Sequence, residues 1–188
     1  MSDLPQGWEL PEIAEILTPL GDGRLIHQGK SPQCDKEQAP DGQWGVLKTT
    51  AIQDGHFLSD ENKLLPEALS PDPKIEVRSG DLLLTCAGPR RRCGIACLVR
   101  ETRSHLMLSG KMYRFRVDDR FVEPMYLESF LRSPEAQLAI DAMKTGGNES
   151  GLNLTHGRFS KLPTPLPPLA EQRRIVETIE ALFSVLDA

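Results

Sequence analysis

Long apolar runs are absent from this sequence. Its longest apolar stretches, residues 82–84 and 95–99, fall far short of the roughly 20 residues that a membrane-spanning helix requires. Residues 1–5 also lack the basic start and the apolar run of a secretory signal. From these absences we expect no membrane partner and a cytoplasmic location.

The patterns that mark common active sites are missing as well. No glycine-rich cofactor loop follows a strand, and no Asn-Pro-Pro-aromatic run like that of adenine methyltransferases occurs. Residues 71–78 contain Pro-Asp and a later Glu-Val-Arg, but this spacing is too short for a nuclease carboxylate motif. None of the four histidines has neighbours that mark it as a general base. We expect a protein with no catalytic site and no cofactor.

Cysteine spacings typical of metal sites are scarce. The four cysteines include no Cys-x-x-Cys pair, and no cluster of histidines accompanies them. Cys86 and Cys97 stand among apolar residues in strand-like runs, where a thiol packs as a small hydrophobe. We therefore expect reduced, buried cysteines and no metal. A zinc site that includes Cys93, four residues before Cys97, is the alternative.

Charge is distributed unevenly along the chain. The net charge is −5, and residues 1–80 hold seven Lys or Arg against fourteen Asp or Glu. Residues 90–116 reverse this balance, with Glu101 as their single acidic residue. Their basic residues are Arg90, Arg91, Arg92, Arg100, Arg103, Lys111, Arg114 and Arg116. Because salt screens charges beyond about 8 to 10 Å, a local basic patch can bind phosphates even on an acidic protein; a solvated rim is the alternative.

The element signals predict an α+β fold. Runs of β-prone residues, with turn signals between them, occupy 44–52, 82–87, 95–99 and 105–117. From residue 124 the pattern becomes helical, and Ser-Pro-Glu at 133–135 supplies the cap, the proline and the acidic residue that begin a second helix. We expect a globular domain with a mixed β-sheet and packed helices.

The last part of the chain has a different pattern. After a proline-rich stretch at 163–168, apolar residues recur through 169–188 at steps of four and three. We predict one domain over residues 1–165 and, over 166–188, a linker and a coiled-coil-type helix. Its apolar stripe consists of Ile175, Ile179, Leu182 and Leu186. A helix this short is marginal alone, so we predict that the stripe packs on a partner helix; docking on its own domain is the alternative.

Several segments resemble the specificity subunits of type I restriction-modification enzymes. Residues 165–177 and 179–183 look like the start of the long helix that follows each target recognition domain in those subunits. The entry, central hairpin and closing loop of such a domain resemble 4–8, 80–84 with Gly88 and Gly94, and 152–154 before Phe159. The resemblance therefore spans almost the whole chain.

The resemblance implies a DNA-binding role without catalysis. A complete subunit of this family has two recognition domains held apart by antiparallel helices, and each domain reads one half of a split site in double-stranded DNA. Its partners are DNA methyltransferase subunits, which methylate adenine, and a motor-nuclease subunit. With one domain and one partial helix here, the resemblance implies either a fragment with a second recognition domain elsewhere or a half-length subunit that forms a homodimer through 169–188.

Candidate DNA-binding residues lie on loops beside the predicted strands. Arginine or lysine suits guanine and asparagine or glutamine suits adenine, whereas phosphate contacts supply affinity and register without reading sequence. We assign base reading to residues 90–92 and to Asn148 or Asn153, and phosphate contacts to Lys48 and Lys111. The full candidate set is Lys48, Thr49, Thr50, Arg90, Arg91, Arg92, Lys111, Asn148, Ser150 and Asn153.

A protein-interaction adaptor is the rival interpretation. In that role the basic hairpin at 88–94 would contact an acidic protein instead of DNA. Binding to a pool of randomised DNA, with and without methyltransferase subunits, distinguishes the two functions.

Overall fold

A computed structural model describes residues 4–186 of the chain, with the side chain of Leu186 outside the description. The helices are α1 (Pro124–Arg132), α2 (Pro134–Met143), α3 (His156–Phe159) and α4 (Leu169–Leu186). The strands are β1 (Ile26–Gln28), β2 (Gly45–Leu47), β3 (Ile52–Gln53), β4 (His56–Phe57), β5 (Asn62–Leu64), β6 (Leu82–Thr85), β7 (Ala87–Gly88), β8 (Ala96–Leu98), β9 (Leu106–Met107), β10 (Met112–Phe115) and β11 (Leu152–Asn153). Single 3-10 turns lie at Ile13–Ile16, Thr49–Ala51, Pro73–Ile75 and Arg90–Arg92.

Short strands form several small sheets. An antiparallel sheet has the order β1-β10-β6-β8. Strand β7, which follows β6 in the chain, pairs with β11 in a separate two-stranded sheet. In another sheet β2 is antiparallel to β5 and parallel to β9. The prediction of an α+β fold with a mixed sheet is therefore confirmed. The runs at 44–52 and 105–117 are broken, the first by the 3-10 turn at Thr49–Ala51 and the second between β9 and β10.

The central strand β6 is buried on both faces. Leu82 and Leu84 belong to one apolar cluster, with Phe115 and Phe159. Leu83 points to the other face and joins Met112 and a second cluster. Because side chains alternate along a strand, an unbroken leucine run is what a strand covered on both faces requires.

Helices α1 and α2 cover the first cluster. The Ser133 hydroxyl accepts a hydrogen bond from the Ala136 amide at 3.2 Å, and Pro134 begins α2, as the sequence predicted. The buried carboxylate of Glu128 on α1 accepts hydrogen bonds from the Leu98 amide and from Arg100 Nη2, both at 2.7 Å. These bonds fasten α1 to β8 at the sheet edge.

Helix α4 packs on the domain mainly with its first half, and in its second half Ile179 and Phe183 still line a cavity together with residues of the domain. The Gln172 side chain is fully buried and donates to the Phe121 and Pro167 carbonyls at 2.9 and 2.8 Å, while its Oε1 accepts from the Glu123 amide at 2.8 Å. Further along, Leu182 is 62% exposed. Docking on the domain and an unpaired stripe thus both occur, in successive turns of one helix. Among the described residues, none of the helices combines the length and apolar character needed to cross a bilayer.

Candidate nucleic-acid interface

Arg90 is held by carboxylates. Its Nε donates to Glu149 Oε2 at 2.6 Å, its Nη2 donates to Glu149 Oε1 at 3.0 Å, and its Nη1 contacts Asp141. The hydrogen bond from Arg90 lowers the pKa of the Glu149 carboxyl. Arg90 therefore attaches the 3-10 turn at Arg90–Arg92 to the loop after α2, and its charge is already matched there.

Arg92 is held by backbone carbonyls. Its Nη2 donates to the carbonyls of Thr49 and Ile52, the latter at 2.7 Å, and its Nη1 lies 3.4 Å from Gln53 Oε1. These contacts bring the 3-10 turn at Thr49–Ala51 against the arginine turn. Arg92 thus positions other candidates, and its guanidinium is not presented to a ligand.

Arg91 differs from both neighbours. Its side chain is exposed, and within residues 4–186 it takes part in no hydrogen bond or ion pair. From the sequence, all three arginines were predicted to read bases. The structure separates them, because carboxylates and carbonyls from distant segments reach only the first and the third.

The remaining arginines of the basic segment are also used by the fold. Arg114 Nη1 and Arg116 Nε lie 3.4 and 2.6 Å from the carboxylate of Asp81, which is fully buried. Arg103 donates to the carbonyls of Ala39 and Gln43, both at 3.1 Å. The charge count of residues 90–116 suggested one basic patch, but most of these arginines are paired within the fold and so do not form it.

Lysines from three segments line one cavity of about 260 Å³. Lys48 follows β2, Lys111 precedes β10, and Lys63 lies on β5, where it pairs with Val46. Thr49 lines the same cavity, whereas the Thr50 hydroxyl donates to the Glu61 carboxylate. Lys63 was absent from the predicted set, because nothing in the polar sequence around it indicated a strand.

The asparagine candidates lie beside the arginine turn. Asn148 Oδ1 accepts hydrogen bonds from the Ser150 amide at 3.2 Å and from its hydroxyl at 2.8 Å, which closes a tight turn. Asn153 on β11 pairs with Ala87 of β7, and its side chain is exposed. The pairing of β11 with β7 and the bond from Arg90 to Glu149 place this loop next to the arginine turn.

Three cysteines pack in the interior. Cys86, Cys93 and Cys97 are buried, and Cys34 is half-buried beside the lysine cavity. Burial raises the pKa of Cys86 and of Cys97 to about 12. Across residues 4–186, no three His, Cys, Asp or Glu side chains are grouped so that they could hold a metal ion.

Comparison with known proteins gives a consistent family. The model of the type I restriction modification DNA specificity domain matches residues 5–187. The EcoEI specificity subunit of Escherichia coli is 39% identical over 186 residues, which are 98% of this chain and 30% of that protein. The EcoKI specificity subunit of Escherichia coli K12 is 28% identical over 146 residues, 76% of this chain and 31% of that protein. The chain thus spans under a third of the length of these relatives.

Solved structures show the same fold. The HsdS subunit from Thermoanaerobacter tengcongensis superposes with a TM-score of 0.68 at 24% identity, over 98% of this chain and 44% of that one. The S subunit of a type I restriction-modification system from M. genitalium gives a TM-score of 0.62 at 14% identity, over 100% of this chain and 41% of that one. In both cases one copy of this architecture accounts for less than half of the larger chain.

Proposed function

We propose, from the premise that this chain belongs to the family of type I restriction modification DNA specificity domains, that it recognises a DNA sequence and catalyses no reaction itself. Residues 1–165 are the target recognition domain, which reads one half of a bipartite site in double-stranded DNA. Residues 166–188 are the linker and the beginning of the spacer helix.

The observation that carries the proposal is the convergence of polar loops around the arginine turn. Arg92 holds Thr49 and therefore the neighbouring Lys48, while Arg90 holds the loop that bears Asn148. Two residues act as braces so that Arg91 and an asparagine amide can face base edges, the geometry that direct reading of guanine and adenine needs. Lys48 and Lys111 contact phosphates and set the register.

The exposed end of α4 provides the assembly surface. Leu182, Phe183 and Val185 are exposed within one turn beyond the docked half, and half-buried Ile179 lies one turn before Leu182 on the same stripe. Buried by a second helix, this stripe joins the domain to a second recognition domain or to a second copy of this chain. The assembly carries methyltransferase subunits and a motor-nuclease subunit, and because it acts on cellular DNA we place it in the cytoplasm.

Selection from a pool of randomised duplex DNA tests this function. The chain is incubated with the pool alone and together with methyltransferase subunits of the system, and retained duplexes are sequenced. We expect enrichment of a short sequence, stronger when the methyltransferase is present. Retention of duplexes without sequence preference in both conditions would contradict a recognition role.

A further inference from the structure

The lysine cavity has the composition of an anion site. Six residues matter to it: Lys48, Lys63, Lys111, Ser31, Thr49 and Ser109. Three ammonium groups repel one another, and a shared anion would relieve that repulsion. The hydroxyls of the two serines and the threonine add uncharged donors around them.

Carboxylates do not neutralise these lysines within the cavity. In the described part of the chain no Asp or Glu lines it, and neither Lys63 nor Lys111 has an ion-pair partner there. Lys48 Nζ lies 3.7 Å from Glu61 Oε2, a long contact to a carboxylate that also accepts a hydrogen bond from Thr50. The cavity therefore keeps most of its positive charge, whereas most arginines of residues 90–116 are paired.

The fold fixes the three lysines on separate rigid segments. Lys63 is on β5, opposite Val46 of β2, and Lys48 follows that strand directly. The Lys48 amide donates to the Glu61 carbonyl at 2.9 Å, which keeps the ends of β2 and β5 together. Because the fold already fixes these backbone segments, the three lysines line one cavity without a further cost in backbone entropy.

We propose that this cavity binds one phosphodiester group of the DNA backbone, with Lys63 as a third cationic ligand beside Lys48 and Lys111. The inference rests on the proposed function, and it adds a site and a residue to it. Lysine suits this task because its compact charge needs no planar partner, whereas the planar guanidinium of arginine favours paired contacts. Among the described lining residues no Phe, Tyr or Trp offers a surface on which a base could stack, so the backbone is the part recognised.

The position of the cavity gives the contact a purpose. Thr49 lines the cavity, and its carbonyl accepts a hydrogen bond from Arg92, the residue next to Arg91. A phosphate bound here is therefore held at a fixed distance from the proposed base-reading arginine. This is how backbone contacts set the register of side chains on a duplex.

Cys34 provides a reporter inside the site. It is half-buried in the wall of the cavity, and the other three cysteines are buried. Burial raises the pKa of the Cys34 thiol, and the nearby charge of Lys63 acts in the opposite direction. A bound phosphate would both cover the thiol and oppose formation of the reactive thiolate, so alkylation of Cys34 should slow.

The first experiment measures alkylation of Cys34 in the full chain at low salt, alone, with a mixed-sequence duplex and with inorganic phosphate. A mixed sequence suffices because backbone contacts do not depend on sequence. We expect the bound duplex to slow alkylation at least about tenfold, with inorganic phosphate acting only at far higher concentration. If alkylation remains as fast with the duplex bound, the proposal that the cavity binds a phosphate is wrong, while the proposed DNA recognition still stands.

The second experiment compares Lys63→Gln with Lys161→Gln, which removes the same charge from an exposed residue outside the cavity. Loss of one phosphate contact should weaken duplex binding about fivefold near 0.15 M salt and reduce the slope of log K against log salt by about 1. The control should change neither. Equal effects of both variants would contradict the proposal, and a wild-type chain that binds no duplex at low salt would contradict the proposed function itself.

Discussion

The arginines of residues 90–116 and the lysines of the cavity differ in whether the fold pairs them. In residues 90–116, most arginines meet carboxylates or carbonyls that the fold brings from distant segments, as Arg90 and Arg114 do. In the lysine cavity, Lys63 and Lys111 meet no such partner in the described structure. Charge counted along a sequence therefore measures what is available to build the fold, and only its unpaired remainder can bind a ligand.

The largest expected effect comes from removing the buried carboxylate that pairs with two arginines of residues 90–116. Asp81→Ala removes the buried carboxylate that Arg114 and Arg116 share, and it leaves Arg114 buried without its anion. We expect a loss of about 3 to 5 kcal/mol in the free energy of unfolding, measured with urea. Asp41→Ala is the control, because its side chain is 99% exposed and its contact with Arg103 spans 3.9 Å. A loss below about 1 kcal/mol for Asp81→Ala would show that the arginines do not depend on it.

A matched pair of arginines sharpens the comparison within one turn. Arg92→Ala removes hydrogen bonds to the carbonyls of Thr49 and Ile52, so we expect unfolding to become easier by about 1.5 to 3 kcal/mol. Arg91→Ala should change stability by less than about 0.5 kcal/mol and instead cost about 1 to 3 kcal/mol of discrimination between the preferred duplex and one with the contacted base changed. Urea unfolding and competition binding measure the two quantities. The reverse assignment of effects would refute the division of roles.

The two halves of α4 can be compared by making the same valine-to-alanine change in each half. Val176 is 7% exposed and Val185 is 74% exposed. Val176→Ala should lower the free energy of unfolding of the single chain by about 1 to 2 kcal/mol, whereas Val185→Ala should leave it almost unchanged. Sedimentation should then show that Leu182→Asp weakens assembly without unfolding the domain. Equal stability losses for the two valines would mean that the outer half is also docked.

The smallest effect concerns the exposed pair of Arg90 and Glu149. The hydrogen bond from Arg90 lowers the pKa of Glu149 below 4.5. The pair therefore stabilises the folded loop above pH 4.5, and this stabilisation is lost as pH falls through the lowered pKa of the folded state. We expect protection of the Asn153 amide against hydrogen exchange to decrease over this range. Glu149→Gln should weaken that pH dependence. An unchanged dependence in this variant would assign it to another group.

Local sequence signals predicted the secondary-structure elements better than they predicted which side chains pair with one another. The cap at Ser133 and the leucine run of β6 were readable because each depends on adjacent residues. The partners of Arg90 and Arg114 lie 59 and 33 residues away, at Glu149 and Asp81, and no local pattern connects them. For this reason the sequence could nominate candidate residues but could not separate braces from ligands.

Lys63 shows the same limit from the other side. Strand β5 spans Asn62–Leu64 only, and its polar residues have no alternation that would indicate a strand. Its place is set by pairing with β2, and the buried Asn62 amide, which donates to the Ser59 carbonyl at 2.8 Å, closes the turn before it. A residue whose direction depends on pairing across the sheet becomes visible only in the folded chain.

The salt dependence of DNA binding tests the central claim most directly. A variant with Lys48→Ala and Lys111→Ala, the two proposed phosphate contacts, is compared with one carrying Arg24→Ala and Lys161→Ala, which loses the same charge elsewhere on the surface. Our account predicts that the slope of log K against log salt falls by about 2 in the first variant and stays at the wild-type value in the second. Equal slopes in the two variants would contradict it, because the duplex would then respond to overall charge and not to this surface.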